Sequence, residues 1–277
     1  MNQLPAGKDS NYTLRALLHH FNKLRTKETR LKVFTFYVIL VLLVVSILYT
    51  LRFALQQART ERVIRVLCFG DSLTAGSGKA TRRRHHPYSA KLQERFDNHD
   101  NTVLGPSIRP VLRLENAGIP GERAQDEMFP RLYQTLKRAR AKYRWVIILG
   151  GTNDMKKYRQ NVALSADIED SKSIFNALVN LHNISHTFGA KTVAVTIPDR
   201  ECEGSGTCLN LKETHLKINE LLKEFCSRNK EKVILADLAS EVFLPRDERL
   251  WGDPVHFNKQ GYDKMADVIY NSMKQHV

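Results

Sequence analysis

The sequence predicts one three-layer α/β domain built on a five-stranded parallel sheet, with a single transmembrane helix ahead of it. Apolar, β-branched-rich runs alternate with amphipathic helical patterns five times between residues 63 and 277, as expected of parallel strands joined by crossover helices. Three of those runs end in glycine-containing turns, at 70–72, 118–121 and 150–153. Ahead of them, Val33 to Leu51 runs nineteen residues without a charge, and a helix of that length rises roughly 30 Å, the thickness of a bilayer's hydrocarbon core.

Residues 1–32 form a polar tail with seven Lys/Arg against Asp9 and Glu28. The span at 33–51 is read as a signal anchor. It is longer than the apolar core of a cleaved leader, and no small-x-small cleavage pattern follows it. Six Lys/Arg lie in the twenty residues before the span and four in the twenty after it. The positive-inside rule then puts the N-terminus in the cytosol and the following domain in the lumen or outside the cell, a type II arrangement. Two glycosylation sequons, Asn11-Tyr12-Thr13 and Asn183-Ile184-Ser185, fall on opposite sides of such a membrane, and this orientation selects Asn183. Residues 52–62, rich in Gln and Arg, read as a stalk, leaving 63–277 for the α/β domain.

Within that domain the first strand is Val63 to Phe69. Pro87 to Phe96 follows with helical spacing of Tyr88, Leu92 and Phe96, and Val111 to Leu114 alternates as a short strand. Gln125 to Ala141 places Met128, Leu132 and Leu136 on one helical face. Trp145 to Leu149 is a buried strand. Ile168 to Phe188 is a helix stopped by Gly189. Thr192 to Ile197 is a strand broken by Pro198, followed by a helix from Leu211 to Cys226. Val233 to Ala236 is the fifth strand, and the last helix starts near Lys259.

The chain has 277 residues and a net charge of +14. Such a balance suits an acidic surface or ligand, but no zinc finger, RNP-type strand or other nucleic-acid module is present, and no nucleic-acid partner is expected. Cys68, Cys202, Cys208 and Cys226 lack paired CxxC spacing, so no metal is expected. Cys68 sits inside a strand as a buried apolar residue. Cys202 and Cys208 flank a Gly-Ser-Gly loop, and in an oxidising lumen they can close a small disulfide that shapes a lid.

The chemistry is expected at the ends of the strands. In a parallel sheet the turns Gly70-Asp71-Ser72, Gly118 to Gly121 and Gly151-Thr152-Asn153 come out at one edge, which is where open α/β sheets bind ligands. A hydroxyl, a glycine N–H and a side-chain amide then stand near one point, as acyl transfer requires. Asp253-Pro254-Val255-His256 can add a base and its orienting carboxylate. Read singly, each block has a plainer use: Asn153 can cap a helix, Asp253 and His256 can belong to a polar loop, and Asp71 can stabilise a turn. Either Gly118 or Gly121 can offer the N–H.

Together, FGDSLTAG at 69–76, NAGIPGE at 116–122, GGTND at 150–154 and DPVHFNKQGY at 253–262 resemble the four ordered blocks of the GDSL, or SGNH, serine hydrolases. The resemblance covers about residues 63–275. It implies a flavodoxin-like fold and no cofactor, with Ser72 as nucleophile, His256 as base and Asp253 as its partner. It also implies an oxyanion hole from the Ser72 N–H, Gly121 and Asn153. Phe257 stands where many members carry Pro or Leu after the His, and is expected in the pocket wall. The expected activity is hydrolysis of a carboxylic ester by a membrane-anchored enzyme, the substrate being a lipid, a small acyl ester or an acetylated glycan. An O-acetyl esterase or acetyltransferase acting on glycans shares every one of these residues, and a non-enzymatic membrane scaffold could keep the fold. The Gly-x-Ser-x-Gly elbow of α/β-hydrolases is absent. Arg82-Arg83-Arg84-His85-His86, just beyond Ser72, is either a solvated loop or a surface for anionic substrates or headgroups.

Overall fold

A computed structural model describes residues 27–61, 63–79, 85–103, 111–155, 168–204, 208–242 and 248–277, with Arg15 and His19. The chain divides into two compact units, 1–61 and 62–277. The first is a helix, α1 (Lys27–Glu61), within which Thr29–Ala54 is long and apolar enough to cross a membrane, with a mean hydropathy of 2.7 and none of that window buried inside the chain. The helix continues without a break through residues 52–61, the segment read as a stalk. Gln and Arg are good helix formers, so a polar composition did not end it.

In the second unit, strands β1 (Val63–Gly70), β2 (Val111–Gly118), β3 (Trp145–Leu149), β4 (Lys191–Val195) and β5 (Val233–Ala236) form one sheet in the order β2-β1-β3-β4-β5. All four pairings are parallel. This is the flavodoxin-like order, in which β1 stands at the switch point and ligands bind outside its carboxyl end. The strand alternation of β1 divides the core. Val66 and Cys68 face one layer with Tyr88, Leu92 and Phe96 of α3 (Tyr88–Val103) and Tyr262, Met265 and Ile269 of α9 (Lys259–Met273). Leu67 and Phe69 face the other, with Leu132 and Leu136 of α4 (Phe129–Arg138), Ile174, Leu178 and Leu181 of α5 (Ile168–Thr187), and Leu211, Ile218 and Leu222 of α7 (Leu209–Arg228).

Three short helices complete the edge: α2 (Ser72–Ala75), α6 (Glu201–Gly204) and α8 (Leu238–Glu241). The predicted helix 125–141 is a turn of π-helix, Ala124–Met128, leading into the shorter α4. Pro130 has no N–H to donate and so sits in the first turn of α4. β2 runs four residues beyond the alternating stretch 111–114, pairing with β1 as far as Gly70↔Gly118.

That last pair is tight. A Cβ on Gly118 would lie 2.2 Å from the Ala75 nitrogen and 2.6 Å from the Thr74 carbonyl carbon, while Gly189, with φ +83°, meets nothing within 4 Å. Gly118→Ala is therefore expected to destabilise by about 1–3 kcal/mol or more through overpacking against backbone. Gly189→Ala should cost less, about 1 kcal/mol, from the left-handed conformation alone. Urea unfolding of the detergent-solubilised chain reads both, and an unperturbed Gly118→Ala would contradict this packing.

Candidate active site

Ser72 begins α2 at the carboxyl end of β1. Asp71 caps this short helix, its Oδ1 accepting from Leu73 N at 2.9 Å, and Gly76, with φ 74°, closes it. The nucleophile candidate is thus held on a turn whose backbone is fixed at both ends. His256 Nε2 lies 3.0 Å from Ser72 Oγ, and His256 Nδ1 lies 3.0 Å and 3.1 Å from the two carboxylate oxygens of Asp253. A carboxylate only accepts, so Nδ1 carries the hydrogen and Nε2 is left to accept from the Ser72 hydroxyl.

The loop that presents His256 is braced on itself. Trp251 and Phe257 form an antiparallel bridge, and Gly252 N donates to His256 O at 2.9 Å. Asp253 Oδ1 accepts from the N–H groups of Val255 and His256, at 3.0 and 2.9 Å, and Oδ2 accepts from Lys79 N at 3.0 Å. Burial alone would raise this carboxyl, but those donors and the facing imidazole hold it below the ordinary carboxylate range. Tyr262 anchors the adjoining segment by donating to Ser77 O at 2.5 Å. Phe257 is fully buried, stacked against Trp251 and edge-on to Tyr262, and so belongs to the core rather than to a pocket wall. The alternation of the bridge turns its side chain inward while His256 faces Ser72.

On the other side of Ser72 the β2 and β3 turns meet. Asn153 Nδ2 donates to Glu122 O at 2.9 Å, which joins the amide to the residue after Gly121 and leaves its second hydrogen available. Gly118 N is already committed to Asn116 Oδ1 at 3.0 Å. Gly121, at φ 89°, has open space beside its Cα, and neither its N–H nor that of Ser72 has an acceptor among the described residues. Asp154, next to Asn153, accepts from Ala124 N and Gln125 N, both at 3.0 Å, and ties the two turns a second time. Arg131 reaches in from α4 to the carbonyls of Ala117, at 2.8 Å, and Gly70, at 3.2 Å, and is paired with Glu122.

Cys202 and Cys208 are joined in a disulfide, and Asn183 is exposed on α5. Arg82, Arg83, Arg84 and the Asn11 sequon lie outside the described residues. Of the neighbouring histidines, His85 lies 3.1 Å from Ser77 Oγ and Ala75 O, and His86 pairs with Asp263 at 2.8 Å. Among the described residues no group of three His, Cys, Asp or Glu is placed to hold a metal ion. Sequence reasoning missed Arg131 and the buried Arg200, whose guanidinium donates to Thr152 O. Each is one basic residue among many, with no motif around it.

The fold alone sets this chain among three-layer α/β proteins with a binding edge at the β1 switch point. The chain belongs to the GDSL-like lipase/acylhydrolase family, matched over residues 68–264, and is thereby a hydrolase acting on ester bonds. Solved structures agree on the fold. A lipolytic protein of the G-D-S-L family from Veillonella parvula aligns with 21% identity and a TM-score of 0.53, covering 76% of this chain and 99% of its own. A lipase/acylhydrolase from Enterococcus faecalis gives 21% identity and a TM-score of 0.54, over 76% and 96%. A carbohydrate acetylesterase family member from Sinorhizobium meliloti gives 16% and 0.54, over 76% and 98%. Comparison with curated proteins returns no match.

Asp71 gives this site a pH signature. Burial pushes its carboxyl from 3.8 up to about 7, with the Leu73 N–H opposing, Asp154 reinforcing and Arg200 countering. A carboxyl raised in the folded state stabilises fully below its unfolded pKa, and that contribution is lost as pH rises towards 7. Asn caps as well as Asp and does not ionise. Asp71→Asn should therefore gain thermal stability over the wild type at pH 8 relative to pH 5. Parallel melting curves of the two proteins across that range would expose the idea as wrong.

Proposed function

We propose that this chain is a membrane-anchored serine esterase working through an acyl-enzyme. The observation that carries it is the Ser72–His256–Asp253 relay, with its 3.0 Å nucleophile–base contact at the switch-point edge. His256 Nε2 takes the Ser72 proton as Oγ attacks the ester carbonyl carbon. Negative charge gathers on the carbonyl oxygen, where the N–H groups of Ser72 and Gly121 and the free Asn153 amide hydrogen would receive it. Collapse expels the alcohol, which leaves with the proton from His256. Water, losing a proton to His256, then attacks the acyl carbon and frees the acid and Ser72. Asp253, kept ionised by its three backbone donors, orients the ring and stabilises the imidazolium between these steps.

The anchor reading is supported by the apolar helix Thr29–Ala54. A lumenal or extracellular hydrolase domain is supported by the excess of Lys/Arg before the span, by the disulfide and by the exposed Asn183. A second reading, deacetylation of glycans, is favoured by the structural likeness to a carbohydrate acetylesterase family member. It uses the same residues and differs only in the ester that is cleaved. An inert scaffold would have no use for an intact relay.

A fluorophosphonate probe should label the detergent-solubilised wild type and not Ser72→Ala. Absence of labelling in a folded wild type would favour the scaffold. Asn153→Ala should lower kcat by about two to three orders of magnitude, the loss of roughly 2.7–4 kcal/mol typical for one oxyanion donor. A panel of acetylated glycans and long-chain acyl esters would choose between the two esterase readings. In cells, loss of a glycan on Asn183→Gln supports the type II orientation, and loss on Asn11→Gln reverses it.

A further inference from the structure

The segment after β4 makes contacts that the proposed chemistry does not account for. Residues 196–200 are all buried, and Arg200 is only 4% exposed. Its guanidinium donates to the carbonyl of Thr152, the peptide oxygen that immediately precedes Asn153. One residue on, Glu201 N donates to Pro254 O at 3.0 Å, inside the Asp253–His256 loop. Two consecutive residues therefore grip the two halves of the site, one on the amide side and one on the base side.

The grip is itself held from behind. Arg200 N donates to Glu203 Oε1 at 2.8 Å, and Glu203 Oε2 lies 2.6 Å from His215 Nδ1 on α7. His215 Nε2 lies 2.6 Å from Ile197 O. Nδ1 faces a carboxylate, which only accepts, and so carries a hydrogen, while Nε2 meets both Ile197 O and, at 2.9 Å, the Asn219 amide nitrogen, which seats the ring in the interior beside Glu203. Asn219, one turn along α7, accepts from Ile197 N and donates to Ile197 O, both at 2.9 Å. The Cys202–Cys208 disulfide closes the same turn onto the start of α7. Buried charges are costly and rarely improve on apolar packing, so their concentration here points to a demand for position rather than for stability alone.

We propose that residues 200–203 form a clamp that sets the Asn153 turn and the His256 loop relative to each other, with Arg200 as its positioning residue. The inference rests on the esterase reading for its effect on rate, but the clamp itself is a matter of backbone order. Arg200 fixes the peptide plane entering Asn153, and hence the direction of the side-chain amide that Asn153 carries. Glu201 fixes the peptide plane two residues before His256.

The test compares wild type, Arg200→Gln and Arg200→Lys as full chains in detergent, with Ser72→Ala as the blank. Arg200→Gln should lower kcat on a soluble acetyl ester about ten- to a hundredfold, the scale of a misplacement near 1 Å, with KM within about twofold. Arg200→Lys, which keeps one donor, should recover part of the loss. Hydrogen exchange should quicken at 150–155, at 255–256 and at the Glu201 amide, and stay unchanged in β1 and β3. Exchange and kcat both unaltered would overturn the clamp. So would exchange raised evenly through the sheet, which would make Arg200 a general stability element. If Arg200→Gln does not fold, Arg200→Lys alone decides by the same two readouts. A wild type that neither labels nor turns over, with exchange still quickened at those segments alone, would remove the esterase reading and leave the clamp standing.

Discussion

The close approach of backbone to backbone at the ends of β1 and β2 is the constraint on which the rest of the active edge depends. A Cβ on Gly70 would lie 2.3 Å from Leu149 O and 2.3 Å from Thr74 Oγ1, and one on Gly118 would strike the backbone of Thr74 and Ala75. With both side chains absent, α2 settles directly onto the sheet, between the turns that follow β2 and β3. The β1 carbonyl at Gly70 then receives Ile119 N at 3.0 Å, so β2's turn starts from a fixed point. Arg131 locks the same place from the helix side, its guanidinium lying 3.9 Å from the centroid of the Phe69 ring. Glycine loses more freedom on folding than other residues, and here that cost is tied to seating the turn that carries Ser72.

Three aspartates stand in the motif blocks, and the backbone gives each a different character. Asp253 gathers three N–H donors and an imidazole, and its charge is favoured despite burial. Asp154 gathers two, and burial still lifts it. Asp71 receives Leu73 N on one oxygen, while its other oxygen has no partner among the described residues, and it shifts furthest. The residue type is the same throughout; the supply of donors decides whether the side chain acts as a charged orienter, a strut between turns or a cap.

The sheet and its helices were legible because strand and helix periods alternate cleanly from Val63 onward, and the buried faces at Tyr88, Leu92 and Phe96 follow the helical spacing. The four blocks were legible because each joins a turn-forming glycine or proline to a side chain of distinct chemistry. What the sequence left open was set by contacts far apart in the chain. Gly118 and Gly121 look alike on paper, and only the bond from Gly118 N to Asn116 Oδ1 separates them. Phe257 was misplaced because a bridge to Trp251, rather than its neighbour His256, decides where its ring goes. Arg200 and the His215–Glu203 pair gave no signal, since an ordinary Arg, Glu and His have no spacing to betray the contacts they make.

Of the four cysteines, Cys68, Cys208 and Cys226 are buried in the folded domain and Cys202 is half-buried. Cys202 and Cys208 are bonded to each other, and burial pushes the thiols of Cys68 and Cys226 up to about 12. Thiolate is the reactive form, so the native protein offers an impermeant maleimide nothing to alkylate at neutral pH. The wild-type chain is in effect already a cysteine-free background. A single cysteine placed on either flank of the apolar helix would report, by whether intact cells let the reagent reach it, on the proposed anchor and its orientation.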